Sequence, residues 1–323
     1  MHPPIRLSGI GMACSRINGG LAAGTHGDRL SAALSALPAG RSPLRLSHPI
    51  EEMAFLAACE ALSLGGVALP VGGEGIGIAL GVDEGIDGIK ARYYQGVLRD
   101  GPLGASPMAF PLTAPNTVAA RISILLDLRG ESLTVCGGSL SGAQAIGLAM
   151  EAVLEGRSTG VLAGGATSVE AEFQDALCCL GRPDGGQPRS GACLLLLELR
   201  GSTGEADGMA ELIGYAEGFG RDEISDAVLT CLEDAGLFPR QTGSVRVASV
   251  QDPRLLAEAL RRVGVMRPIV SSAASDLYSA SFPAAVAEAA TQAANGTPGP
   301  VLVVGTDCLA GASAALVRGG GRR

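Results

Sequence analysis

Short runs of β-forming residues alternate with longer Ala- and Leu-rich runs along most of the chain. The candidate strands are Ile5–Gly9, Gly75–Leu80, Ser132–Cys136, Gly160–Ala163, Ala192–Leu199, Ala210–Glu217, Val245–Val250, Pro268–Ser272, Val301–Gly305 and Ala314–Val317. The candidate helices are Glu51–Leu62, Thr117–Leu126, Gly142–Glu155, Arg221–Ala235, Pro253–Val263 and Pro283–Ala294. This alternation predicts an α/β fold, because helices that follow strands return the chain across one sheet.

The candidate strands form two sets that resemble each other in order. Each set ends with a Gly-rich turn that leads into an apolar final strand. We therefore expect two stacked βα halves in one compact unit, residues 1–203 and residues 204–323. The polar segments Gly181–Ser190 and Arg200–Asp207 are rich in Gly or charge, which favours a loop and a link between the halves.

Composition narrows the function. Hydrophobic residues make up 47% of the chain and charged residues 17%, which fits a heavily buried protein, including a subunit that buries surface against another chain. The net charge of −8 argues against binding to a phosphate backbone. Aromatic residues are only 3%, and the lack of Trp argues against base stacking. We expect no nucleic-acid partner.

The apolar stretches are too short to cross a membrane. Cys193–Leu197 and Val301–Gly305 are strand-sized, whereas a spanning helix needs about 20 apolar residues. No apolar run follows a basic start at the N-terminus, so no signal peptide is predicted and a cytoplasmic location is expected. The eight cysteines include no CxxC pair and no nearby His, so we expect buried thiols and neither a metal nor a cofactor.

One segment has the pattern of a functional corner. The strand that ends in Cys136 runs into Gly137–Gly138, and a helix is predicted to start near Ser139 or Ser141. A side chain at such a corner lies at the positive end of a helix dipole, beside unpaired N–H groups that can bind an oxyanion. The lipase-type G-x-S-x-G pattern and the P-loop lysine are both missing. Cys136, inside the predicted strand, should point into the core.

The stretch Ser106–Thr167 resembles the first half of a β-ketoacyl synthase. The matching motifs are Pro115–Asn116 for the family's P-N pair, Gly138–Gly142 for its (A/G)-C-(S/T)-S-G turn and Gly156–Thr167 for its G-(x)n-GG-(A/T) segment. Weaker similarity covers Ile10–Met12 and Gly191–Leu199. The resemblance implies a thiolase-like five-layered αβαβα sandwich made of two pseudo-repeated βα halves.

The resemblance also implies that the catalytic residues are lost. Active members use a Cys nucleophile, two His residues and a Lys. The corresponding positions here are Ser139 for the Cys, Ser249 and Ser279 for the two His residues, and Ala274 for the Lys. The sequence has no His after His48, and its one lysine, Lys90, lies far from the family position. These four positions are therefore expected to be vestigial.

A serine at this position needs a base to become a nucleophile. Asp276 and Asp307 are nearby carboxylates by the resemblance, but each is more typical of a turn or cap than of a general base. Losing one proton-transfer group typically lowers a rate by about 10²- to 10⁴-fold. Losing the nucleophile and both His residues together should abolish condensation.

Three functions remain open. The first is an inactive subunit of the chain length factor type, which pairs with an active ketosynthase in polyketide, aryl-polyene-like or fatty-acid-like chain elongation. Its contact with acyl carrier protein would then be indirect, because an acidic chain offers few cations to an acidic carrier. The second is a thiolase-fold acyltransferase or hydrolase that uses Ser139. The third is a stand-alone homodimer with a binding role.

Overall fold

The computed structural model describes residues 3–14, 23–35, 37, 48–73, 75–82, 85–170, 189–199, 209–220, 222–249, 252–273, 277–307 and 311–320. Its strands are β1 (Ile5–Cys14), β2 (Ile76–Gly81), β3 (Ser132–Val135), β4 (Gly160–Thr167), β5 (Gly191–Leu199), β6 (Ala210–Phe219), β7 (Ser244–Val247), β8 (Ile269–Ser271), β9 (Val301–Thr306) and β10 (Gly311–Gly319). Its helices are α1 (Ala23–Ser35), α2 (Pro49–Leu64), α3 (Asp87–Asp100), α4 (Asn116–Leu126), α5 (Ser141–Leu154), α6 (Glu223–Asp234), α7 (Pro253–Arg262) and α8 (Ser281–Ala294). No helix in this part of the chain is long and apolar enough to span a membrane.

All ten strands lie in one sheet whose order repeats. The order is β3-β2-β4-β5-β1-β6-β10-β9-β7-β8. In each half the three outer strands are parallel and the two inner strands antiparallel. The halves join through β1 and β6, where Ile5–Leu7 pairs with Ala210–Leu212. The proposed boundary at residue 203 lies outside the described residues and stays a prediction.

The helices form three layers around the two halves of the sheet. Helices α2 and α4 pack on the outer face of the first half, and α6 and α7 on the outer face of the second. Helices α5 and α8 lie between the halves, where Ile146 and Val286 join one core with Leu195 and Val303. The expected αβαβα sandwich is confirmed.

The predicted strands are all confirmed, with small shifts at their ends. Two helices, α1 and α3, were not predicted. Helix α3 buries only Gly88 and Ile89, so its sequence lacks the apolar period by which a helix is recognised. The predicted link Arg200–Asp207 and most of Gly181–Ser190 lie outside the described residues.

Candidate functional site

The predicted nucleophile turn connects β3 to α5. The strand ends at Val135, and the helix begins at Ser141, so Cys136 to Leu140 form the connection. Gly138 has φ +74°, a conformation that residues with a Cβ rarely adopt. This glycine is therefore what allows the chain to turn directly from the strand into the helix.

Ser141 holds the turn together. Its Oγ accepts a hydrogen bond from the Gly137 N–H at 2.9 Å and donates one to the Gly138 carbonyl at 2.6 Å. The residue is fully buried, whereas Ser139 is half-buried. Of the two serines at the corner, Ser139 is thus the one presented to a ligand. It lies one residue before Leu140, the apolar N-cap residue, which makes no side-chain cap to the helix.

Ser279 lies against the start of α5. Its carbonyl oxygen is so close to Gly142 and Gly165 that a Cβ on either glycine would come within 1.9 Å of it. The Ser279 side chain is fully buried, and its Oγ has no hydrogen-bond partner among the described residues. The preceding residue, Tyr278, has φ +46°. A positive φ is uncommon for a residue with a Cβ.

Ser249 and Asp307 reach the same region from the second half. The Ser249 carbonyl, beyond the end of β7, accepts the Thr306 N–H at 2.8 Å. Asp307 follows, and its Oδ1 accepts the Gly311 N–H at 2.9 Å. The prediction that Asp307 is a turn residue is confirmed. Its Oδ2 lies 3.9 Å from the place of a Cβ on Gly138, so the carboxylate lies near the nucleophile turn.

The structure thus brings three of the four predicted positions to one end of the sheet. The Ser279 carbonyl contacts the first turn of α5, and Ser249 is linked through Thr306 and Asp307 to the turn that carries Ser139. The fourth position, Ala274, lies outside the described residues, as does Asp276. All three described positions carry a hydroxyl group on a short side chain.

The prediction for Cys136 was wrong. The thiol is exposed, and its Sγ donates to the Val82 carbonyl at 2.9 Å. The cause is that β3 ends one residue earlier than predicted, which moves Cys136 out of the alternating strand pattern. Cys59, Cys193 and Cys231 are buried as expected, and burial raises the pKa of Cys59 and Cys193 to about 12.

The buried histidine is engaged elsewhere. His48, just before α2, contacts the carboxylate of Glu170, which also accepts the Gly88 N–H at the start of α3. Sequence reasoning missed this pair, because nothing in the spacing of positions 48 and 170 indicates contact. No described contact connects His48 to Ser139. Within the described residues, no group of three or more His, Cys, Asp or Glu side chains could hold a metal.

A cavity of about 460 Å³ lies beside α5, away from the three serines. Its polar lining includes Gln144, Glu151, Tyr215, Glu217 and Asp234. The Tyr215 hydroxyl donates to Glu217 Oε1 at 2.8 Å, and burial followed by the Glu217 charge raises the pKa of Tyr215. The lining offers no Cys, Ser or His, so the cavity does not supply a nucleophile.

Comparison with known proteins finds a family similarity in the first half. Residues 40–178 match the family described as Beta-ketoacyl synthase, N-terminal domain. The 3-oxoacyl-[acyl-carrier-protein] synthase 2 of Vibrio cholerae is 32% identical over 93 residues, which are 28% of this chain and 22% of that protein. Nodulation protein E of Rhizobium leguminosarum bv. trifolii is 32% identical over 115 residues, 35% of this chain and 28% of that protein. The matches therefore span less than a third of each relative.

Solved structures match over almost the whole chain. The ishigamide ketosynthase/chain length factor superposes with a TM-score of 0.76 at 18% identity, covering 98% of this chain and 100% of that chain. A type II PKS acyl-carrier protein in complex with its ketosynthase bound to the hexaketide superposes with a TM-score of 0.76 at 16% identity. The match covers 99% of this chain and 100% of that chain. A β-ketoacyl synthase from Burkholderia phymatum superposes with a TM-score of 0.73 at 18% identity, covering 99% of this chain and 100% of that chain. At these identities the likeness establishes the fold.

Proposed function

We propose that this chain, whose first half resembles the β-ketoacyl synthase N-terminal domain and whose fold resembles ketosynthase structures, is an inactive subunit of the chain length factor type. In this proposal it pairs with an active ketosynthase during polyketide or fatty-acid-like chain elongation in the cytoplasm. The observation that supports it is that the segments carrying Ser139, Ser249 and Ser279, the positions assigned by resemblance to the nucleophile and the two histidines, lie at one end of the sheet. The sequence has no His after His48 to replace them.

The chemistry of these positions supports inactivity. A serine hydroxyl needs a general base before it can attack a thioester. The nearby Asp307 carboxylate accepts a backbone N–H in its own turn, and the Ser279 hydroxyl is sealed in the interior. Since each missing proton-transfer group costs about 10²- to 10⁴-fold in rate, the combination leaves no route to condensation at a useful rate. The acyltransferase or hydrolase alternative for Ser139 is not favoured, because it lacks a described base.

An open strand edge supports pairing with another chain. The Ile78 N–H donates to Glu131 O and the Val82 N–H to Val135 O, so odd-numbered residues of β3 face β2. The main-chain groups of Ser132 and Thr134 then face away from the sheet, where no described strand pairs with β3. An edge of this kind can accept a strand from a partner.

Exposed apolar side chains in the first half support a large interface. They lie on α3 and in the segment that follows it, and they are Tyr94, Leu98, Leu103, Met108 and Phe110. Leu98 is 85% exposed and Leu103 is 97% exposed. Contiguous apolar surface on a water-facing element is typical of a protein interface. The active partner would supply the main contact with acyl carrier protein.

Co-expression with a candidate active ketosynthase tests the proposal. We expect the two chains to co-purify, and the length of the product to change when this chain is omitted. Ser139→Ala should leave product formation unchanged, whereas replacing the partner's nucleophilic cysteine should abolish it. Independent migration of the chains together with unchanged products would contradict the proposal.

Two measurements on the isolated chain separate it from the alternatives. Incubation with acyl thioesters should give no acyl adduct at Ser139 by intact-mass spectrometry, and an adduct there would favour the acyltransferase. A stable homodimer that does not exchange with the ketosynthase would favour the stand-alone binding role.

A further inference from the structure

The far end of the sheet carries a second open edge. The Val245 N–H donates to Pro268 O at 3.2 Å and the Ser272 N–H to Val247 O at 2.7 Å, so even-numbered residues of this segment face β7. The main-chain groups of Ile269 and Ser271 therefore face outward. No described strand pairs on that side, and all six residues from Met266 to Ser271 are exposed.

Apolar and basic side chains surround this edge. We define the β8 surface as β8 together with Phe238, Arg240, Met266, Arg267 and the exposed Arg254 and Arg261 of α7, the helix that precedes β8 in the chain. The Arg267 guanidinium donates to Thr242 O at 2.6 Å and to Arg240 O at 2.8 Å, which fixes the segment around Phe238 beside the strand. Phe238 is 65% exposed and Met266 is 71% exposed, and Arg240 lies over the Phe238 ring at 5.7 Å.

The charge of this region is opposite to that of the whole chain. Residues 237–273 contain six arginines and two acidic residues, Asp252 and Glu258, a net charge of +4 in a chain of −8; Glu288 and Asp222, which pair with Arg246 and Arg262 from outside this range, reduce it to +2. Among the described residues, Arg240, Arg254 and Arg261 form no ion pair with a carboxylate. Cations without partners on an exposed face attract a partner of negative charge.

We propose that the β8 surface binds an acidic protein segment in extended conformation, which adds to β8 as a further strand. The outward N–H and C=O groups of Ile269 and Ser271 supply the ladder hydrogen bonds. Apolar side chains of the segment cover Met266 and Ile269, and its carboxylates pair with the arginines. A second copy of this chain fits less well, because pairing two β8 surfaces brings arginines together.

This inference does not depend on the inactivity or on the pairing of the chain. It is tested on the isolated full-length protein with a fluorescein-labelled peptide of eight alternating Glu and Val residues, followed by fluorescence anisotropy. We expect saturable binding whose affinity falls as the salt concentration rises from about 50 to about 300 mM, because salt screens the charges. The matched Lys/Val peptide should bind at least about ten-fold more weakly, since its charges are repelled by the arginines.

Two kinds of variant locate the binding. Ser271→Pro removes an outward N–H, and the triple variant Arg240→Gln, Arg254→Gln, Arg261→Gln removes unpaired cations. Each should weaken the Glu/Val peptide about ten-fold, since each removes one of the two sources of affinity. The matched controls are Thr134→Pro at the β3 edge and Arg99→Gln on α3, and both should bind as the unmodified chain does. Circular dichroism checks that all variants are folded.

The result can overturn the inference in three ways. Binding that does not saturate, that is equal for the Lys/Val peptide, or that survives both the proline and the triple variant excludes an acidic strand at β8. A homodimer that Ser271→Pro dissociates assigns the surface to a second copy instead. If the peptide fails to bind while co-purification with the ketosynthase persists, only this inference is rejected.

Discussion

Strands β3 and β8 occupy equivalent places at opposite ends of the sheet, yet their surroundings differ. The helix before β3, α4, buries five side chains, whereas the helix before β8, α7, buries only Leu256 and Leu260 and ends in Arg261 and Arg262. Both halves expose large apolar side chains, and the segment around β8 adds six arginines to them. Equal topology with unequal chemistry indicates that the two edges serve different partners.

The turns that follow these strands show the same divergence at the level of single residues. Gly138-Ser139-Leu140-Ser141 precedes α5, and Tyr278-Ser279-Ala280-Ser281 precedes α8. Each begins with a residue of positive φ, and in each the middle helix starts at the second serine. The next residue is Gly142 in one half and Phe282 in the other. The backbone repeats, and the side chains decide which half keeps an accessible corner.

Thr134→Pro should have the largest effect, on the affinity for the active ketosynthase. It removes an outward N–H of β3 without touching the bonds to β2, so we expect at least a 100-fold loss of affinity for the active ketosynthase, an order-of-magnitude figure for a blocked edge. The measurement is titration calorimetry with the purified partner. Ser271→Pro at the equivalent edge is the control and should bind normally. Equal losses from both variants would show that the edges are not distinct.

Substitutions at Gly142 and Phe282 test the repeated turn through stability. Phe282→Ala should lower the free energy of unfolding by about 3–5 kcal/mol, because a buried ring leaves a cavity. Gly142→Ala should lower it by about 3 kcal/mol, because its Cβ would meet the Ser279 carbonyl. Urea unfolding measures both. Gly73→Ala, where nothing lies within 4 Å, is the control, and a similar loss there would remove the steric explanation.

Alkaline pH should destabilise both halves through one buried thiol in each outer layer. Burial raises the pKa of Cys59 to about 12, and burial followed by the Asp234 charge raises the pKa of Cys231. The unfolded chain releases these protons near pH 9.0 while the folded chain keeps them, so stability is full below pH 9 and falls as pH rises towards 12. At pH 10 the loss is about 1.4 kcal/mol per thiol.

Urea midpoints at pH 8 and pH 10 measure this loss. Cys231→Ala and Cys59→Ala should each reduce the pH dependence by a similar amount, although each also lowers stability at pH 8. An unchanged pH dependence in both variants would contradict the assignment. A change in only one would show that the two outer layers differ in how tightly they exclude water.

Gly138→Ala should have the smallest effect on the free energy of unfolding. The added Cβ has open space, with only Asp307 Oδ2 at 3.9 Å, so the cost is conformational and about 1 kcal/mol. Thermal unfolding measures it. Tyr278 already carries a Cβ at the equivalent place, so Tyr278→Ala should not add a conformational cost of this kind. A loss well above 1 kcal/mol at Gly138 would mean that the turn depends on more than its backbone angle.

Sequence reasoning predicted the strands and the nucleophile turn because both depend on local patterns. Apolar runs bounded by Gly mark the strands, and the GGSLSG segment marks the turn. Helix α3 could not be predicted, since it buries only Gly88 and Ile89 and so shows no apolar period. The placement of Cys136 depended on one residue at a strand end, which is where local patterns are least exact.

Features that arise from contact between distant segments were beyond the sequence. The Ser279 carbonyl packs against both Gly142 and Gly165, a contact that requires three segments distant in sequence to meet. The net charge of −8 for the whole chain conceals the arginines of the β8 surface. Their position beside one sheet edge became apparent only from the fold. The similarity of the turns at Gly138 and Tyr278 could not be seen in the sequence, because the two residues share a positive φ but have different side chains.

The junction between β1 and β6 has a consequence for how the protein could be taken apart. Among the described strands, Ile5–Leu7 and Ala210–Leu212 are the segments that join the two five-stranded arrays by ladder hydrogen bonds. Further contact lies where the Ala-rich α8 and the turn Tyr278–Ala280 meet α5, β4 and β5. Two polypeptides divided between β5 and β6 would each keep a full set of five strands, and each would expose its half of that Ala-rich layer until the other docked. Such a split pair is a natural basis for a fragment-complementation reporter.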